Sequence, residues 1–206
     1  MSNSENHIIV FSDIHGCCDE FNHLLNNVPV NPDTTFIFLG DYIDRGENSK
    51  GVIDSILRLK DEHEVIALIG NHEQMFLHFI EKKQTIHGAS FVYNGGGATL
   101  ASYGNNEGEY TIDTSHKDFL YQLLPIYETE HYVFVHAGLP DIKISELDAR
   151  VHEKALLWSR SSFLKSSFDW EKTIIHGHTP VQEVTISEQK INIDTGCVYG
   201  GKLTAL

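Results

Sequence analysis

The chain has 206 residues, and 15 Lys+Arg against 29 Asp+Glu leave a formal net charge of −14. At roughly 100–200 residues per domain this fits one domain over 1–206, and 41% hydrophobic residues with 10% aromatics exclude a disordered chain. The acidic excess argues against a nucleic-acid partner, because affinity for phosphate backbones comes from Lys and Arg, and apolar runs of about five residues exclude a membrane helix of ~20.

Residues 1–6 carry neither a basic region nor an apolar stretch, so no secretory signal is visible. Residues 7–11 then form an apolar, β-branched run that stops at Ser12-Asp13-Ile14-His15-Gly16. A helix is predicted over 19–27, with Phe21, Leu24 and Leu25 on one face. A second strand, 35–39, ends in Gly40-Asp41, and an amphipathic helix follows over 49–63. A third strand, 65–69, ends in Gly70-Asn71-His72-Glu73 ahead of a helix over 73–82. Residues 91–109 read as a loop, with Asn94-Gly-Gly-Gly97 as a turn on the lip of whatever site the strand ends build. A helix over 117–124 leads to a fourth strand, 132–135, that ends at His136. A helix over 145–158 precedes a fifth strand, 173–175, that runs into His176-Gly177-His178. Strands at 184–187, 190–193 and 202–205 complete the chain with little helix between them. Short buried strands alternating with helices indicate an α/β fold whose sheet is mixed rather than purely parallel.

In open α/β sheets ligands sit beyond the carboxyl ends of the strands. Five strand ends here deliver metal-ligating types: Asp13 and His15, Asp41, Asn71 and His72, His136, and His176 with His178. Each has a bland reading alone, as a capping Asp, a turn Asn or a core His; the shared context is harder to dismiss. Six ligands (Asp13, His15, Asp41, Asn71, His136, His178) suit two divalent ions sharing one carboxylate. A nitrogen and oxygen set without thiolate favours manganese, iron or zinc over calcium. Two such ions over two carboxylates leave about +2 in an acidic protein, a trap for phosphate. Three cysteines (Cys17, Cys18, Cys197) lack a spaced framework and read as free thiols in a reduced, cytoplasmic setting.

Asp13-Ile-His-Gly16, Gly40-Asp41-Tyr-Ile-Asp44-Arg45-Gly46, Gly70-Asn71-His72-Glu73, His136-Ala-Gly138 and Gly177-His178-Thr179 resemble the signatures of the calcineurin-like metallophosphoesterases. They are most similar to the phosphoprotein phosphatase branch in its bacterial and phage form, as is the tail from Asp194 to Lys202. The resemblance implies two mixed β-sheets in a sandwich flanked by helices. It implies that Asp13 and His15 hold one ion, that Asp41 bridges, and that Asn71, His136 and His178 hold the other. It makes His72 the general acid, oriented by Asp44, with Asn71, Arg45 and Arg160 as phosphate contacts, and gives His176 a supporting place beside the metal. The implied reaction is hydrolysis of a phosphomonoester in a phosphoprotein or phosphopeptide, of the serine/threonine type or with dual or tyrosine preference. A metal-activated hydroxide would serve as nucleophile. Manganese is the expected ion, with iron or zinc as alternatives, and no membrane partner is expected. A dinucleoside-polyphosphate hydrolase on the same scaffold is the alternative. That branch usually lacks the Asp–Arg pair and ends its third motif in Asp, so Asp44-Arg45 and Glu73 favour the phosphatase. A non-catalytic binding module would have lost a ligand or the acid, and none is missing.

Overall fold

Side chains alternating with a period of two along short strands build the centre of the molecule. The computed structural model describes residues 7–82, 86–105 and 107–206. Its first half runs β1 (Ile8–Phe11), α1 (Cys18–Leu25), β2 (Thr35–Phe38), α2 (Ser49–Lys60), β3 (Glu64–Ala67) and α3 (Asn71–Ile80). These strands form a parallel sheet in the order β1-β2-β3, with Val10 opposite Ile37 and Ile37 opposite Ile66. Next come α4 (Ile86–Phe91), a π-helical turn (Val92–Gly96), α5 (Gly97–Ser102) and α6 (Thr114–Tyr121).

The second half holds β4 (Ile126–Glu128), β5 (Tyr132–Val135), α7 (Glu153–Trp158), α8 (Ser161–Lys165), β6 (Thr173–His176), β7 (Thr185–Ile186) and β8 (Lys190–Asn192). Its sheet, β4-β5-β6-β8-β7, is mixed: β5, β6 and β8 are parallel, while β4 and β7 run against their neighbours. Val10, Ile37, Leu39, Phe134 and Ile175 pack into one cluster, which places the two sheets face to face. The alternate residues Ile9, Phe11, Phe36 and Phe38 pack outward against α1, α2 and α3. Val133, Val135 and Ile174 do the same under α7 and α8. The result is the helix-flanked two-sheet sandwich, with the refinement that the first sheet is wholly parallel.

Four stretches differ from the sequence reading. Residues 202–205 form no strand; Lys202 and Ala205 make single bridges to Gly196 and Phe11. The terminal Leu206 exchanges both backbone hydrogen bonds with Val10 (2.9 and 3.0 Å), so the tail pairs with the edge of β1 at points rather than along a ladder. The predicted helix over 145–158 is broken, with a 3-10 turn (Ile144–Glu146) and α7 starting only at Glu153. Between them the Asp148 carboxylate accepts from Arg150 N at 2.9 Å, a local turn that outcompetes the helix. Residues 91–109, expected as loop, are largely the π-turn and α5, while β4 went unread because three residues carry too little pattern.

Candidate active site

The carboxyl ends of the parallel strands converge at the junction of the two sheets. β1 delivers Asp13 and His15, β2 delivers Asp41, and the first turn of α3 after β3 carries Asn71 and His72. From the second sheet, β5 delivers His136 and β6 delivers His178. All seven side chains are buried, none above 5% exposed. Asp13, His15, Asp41, Asp44, Arg45 and His178 all hold left-handed backbone, with φ between +37° and +72°. Non-glycine residues rarely adopt this conformation, and such strain concentrates at functional sites. Close approach is also built in, since a Cβ on Gly177 would lie 2.0 Å from the Asp13 carboxylate, and one on Gly70 2.2 Å from that of Asp41.

At this junction two triplets bring ligand atoms within 4.8 Å of one another: His15, Asp41 and His72, and Asp41, His136 and His178. Asp41 is the shared member. Its Oδ2 lies 3.4 Å from His15 Nε2, and its Oδ1 lies 3.5 Å from His136 Nε2. Asp13 stands outside both triplets but lines the same cavity, its carboxylate accepting from the Ser12 hydroxyl and from His178 N. His15 Nδ1 donates to Ile43 O at 2.8 Å and His136 Nδ1 to Leu39 O at 3.0 Å, which leaves each Nε2 with a lone pair. Burial holds both imidazoles below their ordinary pKa, so they are neutral. His136 Nε2 thus points a lone pair at Asn71 Oδ1 (3.0 Å) and faces His178 Nδ1 (3.2 Å), while His178 Nε2 is buried without a partner. Acceptors set against acceptors in a buried site fit a cation between them. Burial also pushes Asp13 up to about 6 and Asp41 up to about 7.

Beside the triplets, His72 Nδ1 lies 2.6 Å from Asp44 Oδ2. Burial, then the Arg45 guanidinium, push His72 down to about 2, and burial pushes Asp44 up to about 7. Asp44 is itself fixed by Thr99, whose hydroxyl donates to Asp44 Oδ1 (2.6 Å) and accepts from Asp44 N (2.8 Å), and by the Ser49 hydroxyl (3.1 Å). Arg45 reaches His15, and Arg45 Cζ lies 5.5 Å from the Tyr199 ring. Arg160, exposed, Trp158 and Asn94 line the same cavity of about 190 Å³, as the lip reading of Asn94 anticipated. His176 is buried against Phe163 and donates to Gly177 O, outside the cavity.

Sequence reasoning missed three contributors. Glu73, fully buried, accepts from the backbone of Asp41, Tyr42 and Gly70 at 2.8–3.0 Å and so shapes the loop that aims Asp41. Asp194, just after β8, lines the cavity and is pushed up by burial to about 8. Its position at one more strand end was the available signal. Thr99 had none, because its role depends on α5 folding back over Asp44.

The calcineurin-like phosphoesterase family pattern matches residues 7–203. A protein of Anoxybacillus flavithermus named bis(5'-nucleosyl)-tetraphosphatase PrpE [asymmetrical] is 32% identical, covering 96% of this chain and 88% of its own. A solved structure provisionally named a diadenosine tetraphosphatase superposes with a TM-score of 0.70 at 23% identity, over 100% of this chain and 90% of that one. A cold-active protein tyrosine phosphatase superposes with a TM-score of 0.68 at 17% identity, over 97% and 72%. Because the family pattern spans nearly the whole chain, the chain belongs to the calcineurin-like phosphoesterase family and is a metallophosphoesterase hydrolase.

Proposed function

We propose that this chain is a phosphomonoesterase acting on phosphoproteins of the serine/threonine type. The observation that carries this reading is the 2.6 Å contact between His72 and Asp44 on the wall of the cavity. Asp13, His15 and Asp41 would hold one divalent ion, and Asp41, Asn71, His136 and His178 the other, with manganese ahead of iron or zinc. Such ions, when bound, polarise phosphoryl oxygens and lower the pKa of water. The remaining chemistry belongs to the chain. Arg45 and Arg160 grip the non-reacting phosphoryl oxygens through their planar donors. Asp44 accepts a hydrogen bond from His72 Nδ1–H, which holds that proton on the ring, and its charge favours the imidazolium. His72 then carries a second proton at Nε2, the atom that faces the leaving oxygen. A serine alkoxide leaves poorly without that proton, which is why a buried acid belongs in this cavity.

A second reading, asymmetrical cleavage of dinucleoside tetraphosphates, is favoured by the name of the 32% identical relative. A nucleotide phosphate is a good leaving group and has little need of the acid. Comparing kcat/KM for phosphoserine peptides, phosphotyrosine peptides and diadenosine tetraphosphate, each with Mn²⁺, separates the two. The phosphoserine peptides are expected to lead; a tetraphosphate that exceeds every phosphopeptide overturns the proposal in favour of the second reading.

A further inference from the structure

On the flank of the cavity, Cys17, Glu20 and Cys197 bring two thiols and a carboxylate together. Their ligand atoms lie within 4.8 Å of one another. Cys17 precedes α1 and Glu20 sits in its first turn, so the i, i+3 spacing sets both on one side. Cys197 arrives from the opposite end of the chain, at the start of the 3-10 turn Cys197–Tyr199. The two thiols interact directly, and none of the three cysteines is in a disulfide. The neighbouring Cys18 is different, buried and accepting from Asn22 Nδ2 at 3.2 Å.

The donor chemistry separates this cluster from the catalytic centre. Two sulfurs and one oxygen form a soft set, whereas His and Asp with Asn form a harder one. Tetrahedral zinc, with Zn–S of about 2.3 Å and Zn–O of about 2.0–2.2 Å, places its ligand atoms roughly 3.5–3.8 Å apart. Ligand atoms that all lie within 4.8 Å of one another can close to that spacing with small side-chain shifts. Glu20 is exposed, so a fourth position would be open to solvent.

We propose that Cys17, Glu20 and Cys197 form a thiolate cation site for a zinc-class d10 ion. Binding replaces two S–H bonds with two metal–sulfur bonds and releases two protons to solvent. The site adjoins the cavity. Cys197 lines the cavity, and Tyr199 at the end of its turn stacks on Arg45. An ion on Cys197 therefore ties the aromatic lip of the cavity to the start of α1.

The test is a titration of reduced, manganese-loaded protein with Cd²⁺, following the ultraviolet charge-transfer band of Cd–thiolate bonds. Nitrogen and oxygen ligands cannot produce this band, so the catalytic centre is silent in it. One equivalent is expected to saturate the band in the unmodified protein and in Cys18→Ser. The band is expected to vanish in Cys17→Ser/Cys197→Ser, and Glu20→Gln is expected to keep it with about tenfold weaker binding. Should the double variant fail to fold, Cys18→Ser and Glu20→Gln decide the matter. No band in the unmodified protein, a band surviving in a folded double variant, or one lost in Cys18→Ser overturns the proposal.

Discussion

His72 illustrates how much rests on single side chains. General acid catalysis contributes typically ~10²–10⁴-fold, and only where the leaving group needs a proton. His72→Gln is therefore expected to slow phosphoserine hydrolysis by about that factor while leaving p-nitrophenyl phosphate nearly unaffected, at unchanged metal content. An equal loss on both substrates would remove the acid role. Asp44→Asn should show a milder form of the same split, because the 2.6 Å contact persists without its charge. Asp41 faces both triplets and Asn71 only His136, so Asp41→Asn should cost more activity than Asn71→Ala; the reverse ranking in kcat would argue against a bridge. Arg45→Ala should raise KM and the inhibition constant of inorganic phosphate, and Arg45→Lys should rescue little, since an ammonium lacks the planar fork.

At the scale of elements, the arch of α4, the π-turn and α5 is the part that composition hid. Gly95 O accepts from Arg45 N at 3.1 Å, and a Cβ on Gly95 would lie 2.8 Å from Arg45 Cγ. Gly95 also has φ +102°, so Gly95→Ala is strained twice over. It should raise KM for phosphate esters several-fold with metal stoichiometry intact; an unchanged KM would detach the arch from Arg45. Thr99→Val keeps the shape but strips two hydrogen bonds from buried Asp44, an expected loss of about 1–3 kcal/mol in denaturant unfolding. The strand ends were legible because a buried strand announces itself and the residue after it is fixed in place. Asp13, His15, Asp41, His72, His136 and His178 could thus be named from runs of four or five apolar residues. Thr99, Glu73 and the Cys17–Cys197 pairing were not legible, because each depends on where distant segments meet. The break in 145–158 was invisible for a different reason: a side-chain turn at Asp148 competes locally with a helix that the periodicity permits.

Across the whole molecule, the site joins the two sheets, with Asp41 from the first and His136 and His178 from the second. That junction concentrates acid. Burial pushes Asp41 up to about 7 and Asp194 up to about 8. In the ion-free protein these carboxyls keep protons that the unfolded chain has lost, so stability falls as pH rises through about 8. The buried imidazoles, held below their ordinary value, are neutral in both states above about pH 7 and add no slope there. Ions bound between the acids relieve the penalty. The Tm of chelator-treated protein should fall from about pH 6.5 to 8.5 while that of manganese-loaded protein holds, so the gap widens with pH. A narrowing gap in scanning calorimetry would contradict this. The most direct test of the account is kcat measured against manganese bound per chain, by elemental analysis of the same samples. A centre bridged by Asp41 predicts activity that rises to saturation at two ions per chain; full activity at one ion per chain would contradict it.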